Sequence, residues 1–104
     1  MKYTIKFSPC SLHDLEKVFS EILNISMNNN TAVNYINGII DKIKEKEDFP
    51  ESGTPFYIDN VFTGYRYVIF KSYIVFYKVR SEEILVDRIL YLKSDYITLL
   101  SNKK

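Results

Sequence analysis

Gly64–Leu100, GYRYVIFKSYIVFYKVRSEEILVDRILYLKSDYITLL, is the stretch that decides the fold. Three runs rich in Val, Ile, Tyr and Phe are divided by two short polar pieces, Lys71-Ser72 and Arg80 to Glu83. β-branched and aromatic residues favour a pleated, half-buried surface, so runs cut this way predict an antiparallel meander. The same stretch holds the chain's evident site chemistry in Arg66, Lys71, Arg88, Tyr91 and Lys93.

A two-residue turn at Lys71-Ser72 sets Phe70 opposite Tyr73 and Val68 opposite Val75. A turn at Arg80 to Glu83 sets Val79 opposite Ile84 and Val75 opposite Arg88. Alternation then sorts the side chains into two faces. One gathers Arg66, Val68, Phe70, Tyr73, Val75, Tyr77, Val79, Ile84, Val86, Arg88, Leu90 and Leu92. The other gathers Tyr65, Tyr67, Ile69, Lys71, Ile74, Phe76, Lys78, Leu85, Asp87, Ile89, Tyr91 and Lys93. The first is the more apolar and is expected to receive any helices.

Outward from the meander, Lys2 to Phe7 alternate, with Tyr3, Ile5 and Phe7 on one side, which predicts a strand. Ser8 can cap, and Pro9 can occupy the first helical position, where its missing N–H costs nothing. Leu12, Leu15, Val18, Phe19, Ile22 and Leu23 then recur at helical spacing and predict an amphipathic helix. Asn24 to Asn30 reads as the turn. Thr31 is expected to cap a second helix whose apolar stripe is Val33, Ile36, Ile39, Ile40 and Ile43. Phe49–Thr63 carries Pro50, Gly53 and Pro55 and reads as a loop lying against the sheet edge or the helix ends. The architecture expected is α+β, a strand and helical hairpin packed on a three-strand meander, in one domain over residues 1–104.

Composition narrows the function classes. At 104 residues the chain can bury a core without staples, and nine Tyr and seven Phe make it too aromatic for disorder. The formal net charge of +1 gives no bulk field toward nucleic acid. Cys10 is alone, and no Cys/His cluster has metal-ligand spacing, so neither a metal nor a cofactor is expected. No run approaches the ~18 apolar residues of a membrane span, and MKYTIKFSP lacks the apolar core of a signal peptide, so the cytoplasm is the default.

Two helices blanket one side of a short sheet. The second face is therefore expected to stay open as an apolar patch, the usual mark of a protein partner or of self-association into a homodimer. Its partner-binding candidates are Tyr65, Tyr67, Ile69, Lys71, Ile74, Phe76, Ile89, Tyr91 and Lys93, with Arg66 beside them at the start of its strand. Arg88 is expected to be satisfied by a carboxylate of the first helix, such as Asp14 or Glu21, because an unpaired buried guanidinium is very costly. Lys71 and Lys78 read as solvated edge lysines. His13 reads as an uninvolved surface residue.

Taken together, the segments YTIKFSPCSLHDLEKVF, DFPESGTP, TGYRYVIFKSYIVFYKV and ILVDRILYLKSDYITLL resemble, in order and spacing, the RelE/ParE superfamily of toxins from bacterial type II toxin–antitoxin modules. The resemblance implies a β-α-α-β-β-β fold and a cognate antitoxin that wraps the toxin. It offers two activities: RelE-like members cut messenger RNA on the ribosome, and ParE-like members poison DNA gyrase. Where RelE-like enzymes carry an arginine in the middle meander strand, this chain has Ile74. Where the family often ends its last strand in histidine, it has Tyr91, a phenol of pKa ~10 and a poor base at neutral pH. These departures favour the ParE-like reading, a toxin that acts by binding. For the ribonuclease alternative, Arg66, Arg88, Tyr91, Lys93 and Tyr96 are the candidate catalytic set. An inactive scaffold that only binds antitoxin is the third reading.

Overall fold

The computed structural model describes residues 2–101. Strand β1 (Thr4–Phe7) is followed by helices α1 (Pro9–Ser26) and α2 (Asn29–Lys44), strands β2 (Thr54–Ile58), β3 (Val61–Phe70), β4 (Tyr73–Arg80) and β5 (Glu83–Tyr91), and a short helix α3 (Tyr96–Ser101). The strands form one sheet in the order β1-β5-β4-β3-β2. β1 runs parallel to β5, and the remaining pairs are antiparallel.

Local chemistry sets the helix ends. Ser8 caps α1 by accepting the Ser11 N–H, with Pro9 in the first turn, as expected. The turn between the helices is tighter than Asn24–Asn30. α1 runs on to Ser26, Met27 closes it in the left-handed conformation, and Asn28, not Thr31, caps α2 by accepting the Thr31 N–H. Both Asn28 and Thr31 are cap residues. Asn28 takes the role because the chain leaves Met27 directly into an extended residue. The α1 stripe is also rotated from the expected one: Ser11, Asp14 and Val18 are buried, while Leu12 is exposed. No helix among the described residues is long and apolar enough to cross a membrane.

Three differences from the sequence expectation shape the surface. First, the Phe49–Thr63 loop contains a strand. β2 pairs with β3 through a two-residue turn at Asp59-Asn60, both with positive φ, so the meander has four strands. Asp and Asn tolerate that conformation, and the edge position of β2 tolerates Pro55.

Second, the register changes within β5. Phe70↔Tyr73, Val68↔Val75 and Val79↔Ile84 pair as the turns require. Tyr77 then faces Val86 and Phe76 faces Arg88, which leaves Asp87 as an extra residue in a β-bulge. Val75 therefore opposes Ile89, not Arg88. Beyond the bulge Ile89 joins the helix-side core, and Leu90 and Leu92 turn to the opposite face.

Third, the second face is not left open. Tyr96 and Leu100 of α3, with Phe56 and Ile58 of β2, pack over Ile74, Phe76 and Leu90 to make a second core, in which Phe76 is 0% and Ile74 2% exposed. Two anchoring side chains one turn apart are too short a period to read as a helix in sequence. Asp95 starts it by accepting from the Thr98 hydroxyl at 2.8 Å. The chain itself thus supplies most of the cover expected from another polypeptide.

Candidate functional site

Asp14 lies on the face of α1 turned toward the sheet and is 4% exposed. β1 ends at Phe7, so beyond Val86 strand β5 has no neighbour on that side, and the Asp14 carboxylate fills the place of one. It accepts the Ile89 N–H at 2.9 Å and both the Nε and Nη2 of Arg88, at 2.8 and 3.0 Å. The Asp14 carboxylate holds the Arg88 guanidinium above its ordinary pKa, against the opposing effect of burial. Arg88 is satisfied by the first helix, as its position required.

Above this pair opens a cleft of about 160 Å³ between α1 and the β5–α3 segment, with Lys17, Glu21, Tyr73, Tyr91 and Ser94 on its walls. Tyr73 donates to Glu21 Oε1 at 2.6 Å, and its ring meets Tyr91 edge-on with centroids 5.8 Å apart. On the opposite face Tyr65 donates to Asp87, and the Lys78 ammonium lies 4.5 Å from the centre of the Tyr65 ring. Burial first, and then the accepting carboxylate, push the Tyr65 and Tyr73 phenols far above the usual value near 10.

These shifts carry a pH prediction. The folded chain keeps both protons to higher pH than the unfolded chain, so their stabilisation is complete below about pH 10 and is lost as pH rises past it. Thermal melts between pH 9 and 11 should show the wild type losing stability faster than a Tyr65→Phe/Tyr73→Phe variant. Parallel curves would show that the two phenols titrate alike in both states.

The other candidates are dispersed. Arg66 Nη1 donates to the carbonyls of Glu51 and Gly53 at 3.0 and 3.1 Å, and its guanidinium sits 5.5 Å from the Phe62 ring centre. It fastens the loop before β2 to the sheet. Arg88 lies two strands away on β5, about 10 Å at ordinary strand spacing. Tyr96 packs edge-on with Phe56 beneath α3, while Tyr91 borders the cleft and is 46% exposed. Lys93 is exposed, and Lys71, at the β3–β4 turn, lies over the rings of Tyr35 and Phe70. Of the five residues proposed for catalysis, Arg88 and Tyr91 thus share the cleft, while Arg66 lies two strands away and Tyr96 packs in the core of the opposite face.

Of the partner-binding candidates, Ile74, Phe76 and Ile89 are buried in this chain's own cores and offer no surface. Tyr65 and Tyr67 are half-buried at the edge of the α3 layer, and Ile69 remains exposed. The bulge and α3 are the physical reason for these changes. The signal available for Asp14 was its position: Ser11, Asp14, Leu15, Val18 and Ile22 share one helical face, and a carboxylate there needs a partner. Tyr57, Val61 and Phe62, exposed on the β2–β3 hairpin, were hidden by reading that segment as a loop.

Residues 5–96 match a family model described as the ParE toxin of the type II toxin–antitoxin system parDE. Among solved structures, a chain of the chromosomal ParDE toxin–antitoxin system from P. aeruginosa superposes with a TM-score of 0.73 at 15% identity, covering 88% of this chain and 98% of that one. A chain of the toxin–antitoxin complex RelBE2 from Mycobacterium tuberculosis superposes with a TM-score of 0.59 at 16% identity, covering 88% and 92%. No curated protein matches the sequence at a significant level.

Proposed function

Since the chain belongs to the ParE toxin family of type II toxin–antitoxin systems, we propose that it is a growth-inhibiting toxin that acts by binding DNA gyrase and is neutralised by a cognate antitoxin. Family membership supports the toxin and antitoxin roles. The reading of binding, as opposed to cleavage, rests on one observation: both candidate arginines are engaged by the protein itself, Arg66 by backbone carbonyls and Arg88 by Asp14, and they lie two strands apart.

Cleaving RNA through its own 2′-hydroxyl needs a base near that hydroxyl and free cations at the phosphate. Here Arg88 is held by Asp14 and Arg66 is held by two carbonyls, so neither guanidinium is free for a phosphate. His13 sits exposed on α1 beside Glu16, on a different element from Arg66 and Arg88. A surface built this way suits recognition better than proton transfer.

Induced expression of the chain without its neighbouring gene should arrest growth. Purified protein should then inhibit gyrase supercoiling while messenger RNA on translating ribosomes stays intact. Immediate loss of protein synthesis with cut messages would replace gyrase by the ribosome as target. Normal growth at confirmed expression would leave only antitoxin binding, the scaffold role.

A further inference from the structure

Strand β3 outruns its neighbour. β2 begins at Thr54, which pairs with Tyr67, while β3 continues past that pair to Phe70. The two-residue turn at Lys71-Ser72 sets Phe70 against Tyr73 of β4 as a hydrogen-bonded pair. Peptide direction alternates along a strand, so Ile69 turns its N–H and carbonyl away from β4, where no described backbone group pairs with them.

Two lysines stand beside that unpaired rung. Lys42, in the last turn of α2, and Lys46, just beyond it, are half-buried and line one recess of about 270 Å³ with Ser52, Thr54 and Ile69. Lys42 makes only a loose pair, to Glu45 at 3.8 Å, and Lys46 makes no ion pair among the described residues. No described carboxylate lines the recess, and the Ser52 and Thr54 residues at its rim are exposed. Lysines at a helix C-terminus often do no more than offset its dipole. Here the carbonyls of Asp41, Ile43 and Lys44 already accept from the N–H groups of Glu45, Lys46 and Glu47, so the ammonium groups are not needed as caps.

A pair of cations, an outward N–H and two hydroxyls in one small recess fit the dianionic head of a phosphomonoester. A nucleic-acid backbone, with one charge on each phosphate, calls instead for an extended basic stripe, and a formal net charge of +1 lends no support to one. The Ile69 carbonyl points the same way as its N–H and needs a donor, which a bare anion lacks and a sugar hydroxyl supplies. We infer that the recess binds a small sugar phosphate. Lys42 and Lys46 neutralise the phosphate, the Ile69 N–H and the hydroxyls of Ser52 and Thr54 donate to its oxygens, and the Ile69 carbonyl accepts from the sugar. The site is independent of the toxin reading.

The test titrates the full chain with ribose 5-phosphate and follows backbone amides by NMR. The Ile69 amide should move downfield and saturate with a Kd of about 1 mM or below, as two charge-assisted bonds allow. Lys42→Gln and Lys46→Gln keep most of the stem and remove the charge, and each should weaken binding about tenfold with the remaining amide spectrum unchanged. Ribose alone should not bind, and inorganic phosphate should bind more weakly than the sugar phosphate. An Ile69 amide that does not move, or lysine variants that bind as the wild type does, overturn the site. Inorganic phosphate binding as tightly as ribose 5-phosphate overturns the sugar assignment. A single-stranded oligonucleotide lacking a terminal phosphate that moves the same amide at lower concentration overturns the small-ligand assignment in favour of a nucleic-acid backbone.

Discussion

Asp14→Ala is expected to destabilise the chain by about 3–5 kcal/mol, the range for breaking a buried ion pair from one side. The substitution removes three interactions at once. Arg88 loses both bonds to its carboxylate, and the Ile89 N–H, in a residue 2% exposed, loses its acceptor. For a domain of this size each kcal/mol lowers the melting temperature by about 4 °C or more, so the effect should be plain in a thermal scan. Asp14→Asn keeps an oxygen for Ile89 and is expected to lose less. Arg88→Met placed on Asp14→Ala should recover part of the loss, because it removes the orphaned charge. Urea unfolding that puts Asp14→Ala within about 0.5 kcal/mol of wild type would show that solvent already satisfies both groups.

The second large effect is expected at Gly53, for a steric reason. Gly53 has φ −68 and ψ 158, an extended conformation that any residue adopts, so backbone strain plays no part. An added Cβ would sit 2.1 Å from Tyr77 Oη and 2.8 Å from its Cζ. Tyr77 is 1% exposed and its hydroxyl is fixed from both sides, accepting the Gly53 N–H at 3.0 Å and donating to the Pro50 carbonyl at 2.7 Å. Gly53→Ala must push that ring back and break both bonds, for an expected loss of about 3 kcal/mol from overpacking and unmet polar groups. Tyr77→Phe alone should cost about 1–3 kcal/mol. In the Gly53→Ala background it should cost clearly less, because both hydroxyl bonds are already broken and the worst of the clash is relieved, although the ring carbon Cζ still lies 2.8 Å from the added Cβ. Simple additivity in that double-mutant cycle would mean that the two residues do not meet as described.

Both predictions concern contacts between parts of the chain far apart in sequence, and that separates what was legible from what was not. Ser8-Pro9 announces the start of α1, Lys71-Ser72 fixes the first hairpin, and the alternation of β3 and β4 fixes its register. Each of these is a local preference acting over a few residues. The pairing of Arg88 with a carboxylate of α1 was also legible, because a charge forced toward a helix layer has few ways to be satisfied. The strand hidden in Phe49–Thr63 left a trace in Asp59-Asn60, but Pro50, Gly53 and Pro55 outweighed it.

Sequence by itself determined the class of fold, the helical hairpin and three strands of the meander, because periodicity and turn chemistry are written into neighbouring residues; the family was legible only as a resemblance in the order and spacing of motifs. Tertiary structure alone decided which residues remain available for recognition. Asp87 has no local mark of being a bulge, since the extra residue arises only when β5 must satisfy β4 on one side and β1 and Asp14 on the other. Nor do Tyr96 and Leu100 show that they will fold back over Phe76, a contact that exists only once the sheet has presented its second face. Burial is a property of the assembled layers, so the partner-facing surface had to wait for the fold.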